Sequence, residues 1–574
     1  MLNKNGILIF IVLISGMVGS AMQKLEHSET KKPNIIFIMS DDHTWQAVGA
    51  YDSRFKYLNP TPNLDKLAKS GMVFDHAICG NAICTPSRAS IMTGQYSHLN
   101  GVLTLDDALP ESKQYLAHEM RRAGYQTAVI GKWHLHDLPT AFDYYKVLPG
   151  QGKYFNPEFF ETGKKKKFRV EGHSTDCIMD AALEWFATRR KGDQPFFLKL
   201  HFKAPHDYFK NAPRYDDYLE EVAMPEPLSL WARGEGSVAT RGVDGELERV
   251  IGTSIGRRNF RRSYDADWEV DEGLSDAEAK REAYNVYLKK YLRCVKGVDD
   301  NLGRLFAYME QEGLLENTVI VYTGDQGFFL GEHDFQDKRW AYEPSLRMPL
   351  IVSYPKTIPM GVRSDALVEN IDFPATLIDF AGVSVPDYMQ GRSFRSILET
   401  GEEAEDWKQA AYYQYWMHMA HHDVPGHIAM RTKRYKLIQF YGTAGVRGYR
   451  SERSWESTPA GWELYDLEKD PTESDNVYDH PDYTAVQVEL KKQFKQLRVA
   501  VRADQVNENL PIEAQQRMAE VNRMIEANWV YEVAAKEAAV QQSKIYAERF
   551  ADPKQTEPYV VPWLRPGTLD PSEK

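Results

Sequence analysis

Long apolar runs, cysteine and net positive charge are all scarce in this sequence, and each scarcity closes a possibility. No stretch reaches the roughly 20 apolar residues that a bilayer-spanning helix needs, and the run at residues 6–18 falls short, so stable membrane insertion is not expected. The four cysteines, Cys79, Cys84, Cys177 and Cys294, include no C-x-x-C pair and no zinc-like spacing, which argues against a disulfide scaffold or a structural zinc module. The formal net charge is -12, so the global attraction that nucleic acid or acidic lipid requires is missing. No internal repeat of fixed period is present, which excludes a solenoid or propeller. What remains is the composition of a globular protein of 574 residues, long enough for a large α/β domain with additions.

The chain opens with Lys4, the apolar run and the small residues Gly19, Ser20 and Ala21, the order of a secretory signal peptide. Residues 1–21 are read as that peptide and the mature protein as secreted or periplasmic. After a charged linker at 23–32, continuous apolar runs of strand length occupy residues 33–40, 126–131, 195–202, 318–323 and 349–353. Such uninterrupted runs mark strands buried on both faces of a parallel sheet. Helical patterns at 63–70, 115–123 and 284–312 lie between them, which gives an α/β domain over residues 33–400 with a mostly parallel central sheet. Residues 401–503 change to aromatic-rich antiparallel strands at 411–416, 427–431 and 435–441 with a helix near 485–499, a smaller C-terminal α+β domain. Residues 504–574 read as a helical extension and a proline-rich tail.

Ligands of parallel sheets sit outside the carboxyl ends of the strands, and that rule sorts the polar residues. Asp41 and Asp42 follow the first run, Lys132 and His134 the second, His206 the third, and Asp325 and Gln326 the fourth. Four strand ends deliver acid, base and amide groups to one edge.

The segment Cys84-Thr-Pro-Ser-Arg88, continuing to Thr93-Gly94, is the most informative of all. Pro86 suits a first helical turn, where its missing N–H would be unpaired anyway, so a helix starts here with free amides beside the cysteine. The segment resembles the signature of the type I sulfatases, in which the cysteine of a C-x-P-x-R core is oxidised to formylglycine (3-oxoalanine) by a formylglycine-generating maturation enzyme. The resemblance covers residues 33–500. It is also carried by Asp41-Asp42, Gly131-Lys-Trp-His, Pro205-His206, Asp325-Gln326-Gly327, Gly331-Glu-His-Asp-Phe-Gln-Asp-Lys338, Asn370-Ile-Asp-Phe-Pro and Arg431-Thr-Lys-Arg-Tyr-Lys-Leu. It implies an alkaline-phosphatase-like sandwich and hydrolysis of a sulfate monoester.

An aldehyde is unlike any coded side chain. Hydrated to a geminal diol, it offers one hydroxyl to attack sulfur and another whose collapse later expels sulfate. Asp41, Asp42, Asp325 and Gln326 are all oxygen donors, the set that a hard cation such as a single Ca²⁺ prefers, with room for an oxygen on residue 84. Many family members carry Asn or His where Gln326 stands. Arg88, Lys132 and Lys338 supply positive charge to the sulfuryl oxygens. By the resemblance, Asp325 assists deprotonation of the attacking hydroxyl, His206 protonates the leaving alkoxide, and His134 takes the proton of the second hydroxyl. For His333 two readings stand: it orients Lys338, or it shapes the sulfate pocket.

Tyr415, Trp416, His418, His422 and His427 mix rings and imidazoles in a way that suits a sugar, although an ordinary strand and turn fits the same pattern. Arg257, Arg258, Arg261 and Arg262 either contact further anionic groups of a polymer or lie in a solvated loop, and Lys164 to Lys167 read as solvated surface. Together with the signal peptide, these features point to a sulfated carbohydrate, with ulvan and animal glycosaminoglycans both fitting. A phosphonate or phosphate ester hydrolase of the same superfamily shares the nucleophile and metal. A catalytically silent glycan-binding protein keeps the cations.

Overall fold

The computed structural model describes residues 31–529 apart from 193, 232–270, 272, 421–423, 443–457 and 459. Residues 1–21, read above as a signal peptide, the arginines at 257, 258, 261 and 262, His422, and the tail from 530 onward lie outside the described residues. Six strands frame the large domain: β1 (Asn34–Asp41), β2 (Met72–Ile78), β3 (Gln126–Lys132), β4 (Tyr144–Leu148), β5 (Phe196–Pro205) and β6 (Thr318–Gly324). Five of them, in the order β6-β1-β5-β3-β4, form the parallel centre of the sheet. β7 (Leu350–Ser353) runs antiparallel to β6 and to β2, and β2 pairs in parallel with β8 (Val362–Glu369). At the far edge Glu158–Glu161 is antiparallel to β4.

Every residue of β1 and β5 is buried, because helices cover both faces. Alternation along β1 splits the core in two. Ile35, Phe37 and Met39 pack with Ala89, Ile91 and Met92 of α1 (Cys84–Thr93), whereas Ile36 and Ile38 face α2 (Ser174–Thr188) and α3 (Asp276–Gln311). α4 (Asp372–Phe380) joins α1 on the first face through Phe373 and Leu377. This is the alkaline-phosphatase-like α/β sandwich, mostly parallel at its centre. All four cysteines are free and buried.

A second, antiparallel sheet follows: β9 (Ala410–Tyr415), β10 (His427–Thr432), β11 (Tyr435–Tyr441) and β12 (Ala460–Asp466) in sequence order. α5 (Thr484–Ala500) and α6 (Ile512–Trp529) cover one face, where Phe494, Val521 and Ile525 pack with Ile428, Leu437 and Trp462. Gln439 Nε2 donates to the Ile525 carbonyl at 3.0 Å, so α6 belongs to this layer. The other face, through Tyr413, Ala429 and Phe440, shares a core with Phe335 and Trp340 of the large domain. Buried charges cross the junction: Glu343 pairs with Arg431 at 3.2 Å and Lys436 at 2.9 Å, and Lys436 with Glu473 at 2.6 Å.

Candidate active site

The carboxyl ends of β1, β3, β5 and β6 meet at one edge, and the start of α1 closes the space between them. Ile83 is extended (φ -153°, ψ 141°) and turns the chain into the helix, so Cys84 is its first residue and is 1% exposed. Gly131 is needed for the approach: its φ is +103°, and a Cβ there would lie 1.8 Å from the His201 carbonyl oxygen. No other residue allows β3 and β5 to come that close just before Lys132 and His134 leave the sheet.

Three buried carboxylates face three buried cations. Arg88 spans two of the acids, with Nε and Nη2 each 2.9 Å from Asp325 Oδ2 and Nη2 3.3 Å from Asp41 Oδ1. Its Nη1 donates to the Lys132 carbonyl at 2.8 Å. Lys132 Nζ ion-pairs with Asp41 and donates to Gln151, and Lys338 Nζ lies 2.5 Å from both oxygens of Asp42. Asp42 adopts a left-handed φ of 62°. Its N–H donates to Asp325 Oδ1 at 3.0 Å, and its carbonyl accepts from the Tyr291 hydroxyl of α3 at 2.7 Å. Asn370, at the end of β8, donates to Ser87 Oγ at 2.9 Å, and Ser87 donates to the Asp325 carbonyl. That chain ties the Asn370 phrase of the sequence to α1.

Burial is the largest influence on the acidity of the three carboxylates, of Cys84 and of the two histidines. It lifts Asp42 to about 6 against the pull of Lys338, and Asp325 to about 7 with the Asp41 charge adding to the rise. For Asp41 burial also pushes upward, but Lys132, His206 and Arg88 outweigh it and hold the carboxyl well below its ordinary value. Burial, then the Asp41 charge, drives the Cys84 thiol far above its usual value, so an unmodified Cys84 is a protonated thiol and a poor nucleophile. Burial, then Lys132, brings His206 down to about 4 and His134 well below its ordinary value.

The residues fit a hard cation. Gln326 turns Nε2 to Asp42 and leaves Oε1 buried with no hydrogen-bond donor, a cost that an ion would remove. Ligand atoms of Asp41, Asp42, Cys84 and His206 all lie within 4.8 Å of one another. The carboxylates and the carboxamide make an oxygen-rich set.

His134 takes φ 54° and its Nδ1 is buried with no hydrogen-bond partner. His206 places Nε2 3.7 Å from Asp42 Oδ2. His333 stands elsewhere in its loop: its ring stacks on Tyr342 at 4.9 Å beside Phe329 and Phe335, and its N–H donates to Ser229 Oγ at 3.1 Å. Four of the five residues read as a sugar surface are interior instead. Tyr415 and His427 are fully buried, and Trp416 and His418 nearly so. His427 Nε2 accepts the Ala341 N–H at 3.1 Å, its Nδ1 meets the Pro425 carbonyl at 2.8 Å, and the ring lies between Trp340 and Tyr413. His418 Nδ1 accepts from Gly426 N at 2.9 Å. These rings join the small sheet to the large domain, which explains their composition without a sugar.

Sequence reasoning missed four polar neighbours of the site. Gln151 reaches Lys132 from a loop flanked by Gly150 and Gly152, both left-handed. Asp207 lies 2.7 Å from His206 Nδ1. Asp337 and Arg339 form an ion pair on either side of Lys338, both with positive φ. Adjacency to His206 and Lys338 was the one signal available for three of them, and nothing in sequence marks Gln151.

A nucleophile position at a helix start, ringed by cations and by imidazoles able to carry protons, is the equipment of a hydrolase acting on an anionic ester. Comparison with known proteins gives the class its family. The family model named Sulfatase matches residues 33–383, and the model for the C-terminal part of N-sulphoglucosamine sulphohydrolase matches 331–500. An N-acetylglucosamine-6-O-sulfatase of Bacteroides thetaiotaomicron is 38% identical over 512 residues, covering 82% of this chain and 88% of its own. An ulvan-active sulfatase of Formosa agariphila is 25% identical, with 81% of each chain covered. Among solved structures, one of a protein in complex with its substrate D-glucosamine-2-N,6-O-disulfate superposes with a TM-score of 0.73 at 35% identity, over 83% of this chain and all of that one. The chain belongs to the sulfatase family, the hydrolases of sulfate esters.

Proposed function

We propose that this sulfatase removes the 6-O-sulfate of a glucosamine-type sugar in a sulfated oligosaccharide or polysaccharide. The reading includes a formylglycine at residue 84, installed by a maturation enzyme, and one Ca²⁺ held by Asp41, Asp42, Asp325 and Gln326. The observation that carries it is the placement of Cys84 at the first position of α1 with the ligand atoms of Asp41, Asp42 and His206 all within 4.8 Å. The names of a curated relative and of a solved structure, both of sulfated glucosamines, support this choice of sugar. The signal peptide read at 1–21 supports action in the periplasm or outside the cell.

Hydrated formylglycine supplies a hydroxyl to attack sulfur, and a hard cation supplies charge that polarises the sulfate oxygens. The chain does the rest. Arg88, Lys132 and Lys338 hold the sulfuryl oxygens and favour charge that moves toward the leaving oxygen. Asp325 accepts the proton of the attacking hydroxyl at its carboxylate. His206 gives a proton to the sugar oxygen, and His134 takes one from residue 84 when sulfate departs. Asp337 and Arg339, beside Lys338, offer an acceptor and a donor to sugar hydroxyls.

Sulfate release from N-acetylglucosamine 6-sulfate and from sulfated ulvan oligosaccharides, beside phosphate release from an aryl phosphate, tests the reading. The glucosamine sulfate is expected to turn over fastest by a wide margin. Preference for ulvan fragments would move the substrate, and preference for the phosphate would remove the sulfatase reading of the site.

A further inference from the structure

We propose that Asp207 is the positioning residue that aims His206 at the leaving oxygen of the substrate. The inference rests on His206 acting as the acid, as argued above, and adds a residue to which no role has been given. His206 Nδ1 lies 2.7 Å from Asp207 Oδ1 and 2.7 Å from the Asp207 carbonyl. Both are acceptors, so Nδ1 carries a hydrogen, and Nε2 is left as the nitrogen that faces the site, 3.7 Å from Asp42 Oδ2.

The surroundings hold this pair still. The Tyr154 hydroxyl donates to the His206 carbonyl at 2.6 Å. Lys203 Nζ donates to the Asp207 carbonyl at 3.3 Å and sits 4.7 Å from the Tyr154 ring. Burial raises Asp207, but His206, Lys338 and Lys203 reverse that and keep its carboxyl far below the ordinary range, so it stays charged.

The chemistry follows from this tautomer. Nε2 first takes up a proton, a state that burial and Lys132 oppose and that the Asp207 charge favours; as the S–O bond breaks, its electron pair stays on the sugar oxygen and that proton passes to it. The ring ends neutral with its remaining hydrogen already on Nδ1, so no rearrangement is needed. The Asp207 carboxylate compensates the positive ring before transfer, the part an orienting acid plays behind a histidine. Its side chain is 33% exposed, so removing it disturbs little packing. The carbonyl contact survives any side-chain substitution.

The experiment compares wild type, Asp207→Ala, Asp207→Asn, His206→Ala and the His206→Ala/Asp207→Ala double variant on two sulfates. One is N-acetylglucosamine 6-sulfate, whose alkoxide needs a proton to leave. The other is 4-nitrophenyl sulfate, whose phenolate departs unaided. For Asp207→Ala the ratio of kcat on the sugar to kcat on the aryl ester is expected to fall about 10–100-fold, a part of the roughly 10²–10⁴-fold that general acid catalysis supplies, with KM for the sugar unchanged. Asp207→Asn should fall between, since its amide oxygen accepts the same hydrogen without charge. The double variant should be no worse than His206→Ala. Equal losses on both esters in Asp207→Ala, or additive losses in the double variant, overturn the proposal while a selective loss in His206→Ala leaves the acid reading standing. Equal losses in His206→Ala overturn both.

Discussion

Replacing Cys84 with alanine is expected to lower turnover of every sulfate ester by about 10⁴-fold or more, because the nucleophile itself is removed. Sugar and aryl sulfates should suffer alike, since attack at sulfur precedes any difference in leaving group. The fold should scarcely notice. Cys84 is 1% exposed, and losing one sulfur atom at a helix start should change the unfolding free energy by about 1 kcal/mol. Denaturant titration beside a sulfate-release assay separates the two effects. A variant that kept most of its turnover would show that attack comes from elsewhere.

The second large effect is expected at Asp42. Its two oxygens receive Lys338 at 2.5 Å, Gln326 donates to one of them, and its backbone ties β1 to Asp325. Asp42→Asn keeps the shape and removes a charge from a set of oxygen donors. Ca²⁺ binding to chelated protein, followed calorimetrically, should weaken about 10–100-fold or more, since even residues behind a metal ligand command that range, and sulfatase activity should fall with it. Gln326→Ala should weaken binding less, because it removes a neutral oxygen. Burial lifts Asp42 to about 6 and Asp325 to about 7, so protons compete with the ion, and affinity in the wild type should decline as pH falls from 8 toward 5. Unchanged affinity in Asp42→Asn would move the ion away from this edge.

What the sequence made legible follows from burial. β1 and β5 are covered on both faces, so their apolar runs are unbroken and each points to the polar residue that follows it. Asp41, Asp42, Lys132, His206 and Asp325 could therefore be assigned to one edge before any coordinates. β2, β4 and β8 were not singled out, because each carries partly exposed positions that break the run. Tyr415, Trp416, His418 and His427 read as a sugar surface for a related reason. Aromatic rings and imidazoles look the same in sequence whether they face a sugar or another layer, and the layer here is Trp340, more than 80 positions from His427. His333 carried a family phrase but sits among Phe329, Phe335 and Tyr342. Gln151 was invisible because its role depends on where a glycine-flanked loop closes, which no periodicity encodes. Asp207 adjoins a predicted residue, but only the ring orientation of His206 reveals it.

The measurement closest to the central claim is the mass of the peptide that contains residue 84, taken from a preparation whose sulfatase activity has been titrated. Active enzyme should show residue 84 with its sulfur replaced by oxygen and oxidised to the aldehyde or its hydrate, in a fraction that tracks specific activity across preparations made with and without a formylglycine-generating enzyme. Full activity in protein whose residue 84 is plain cysteine would contradict the account.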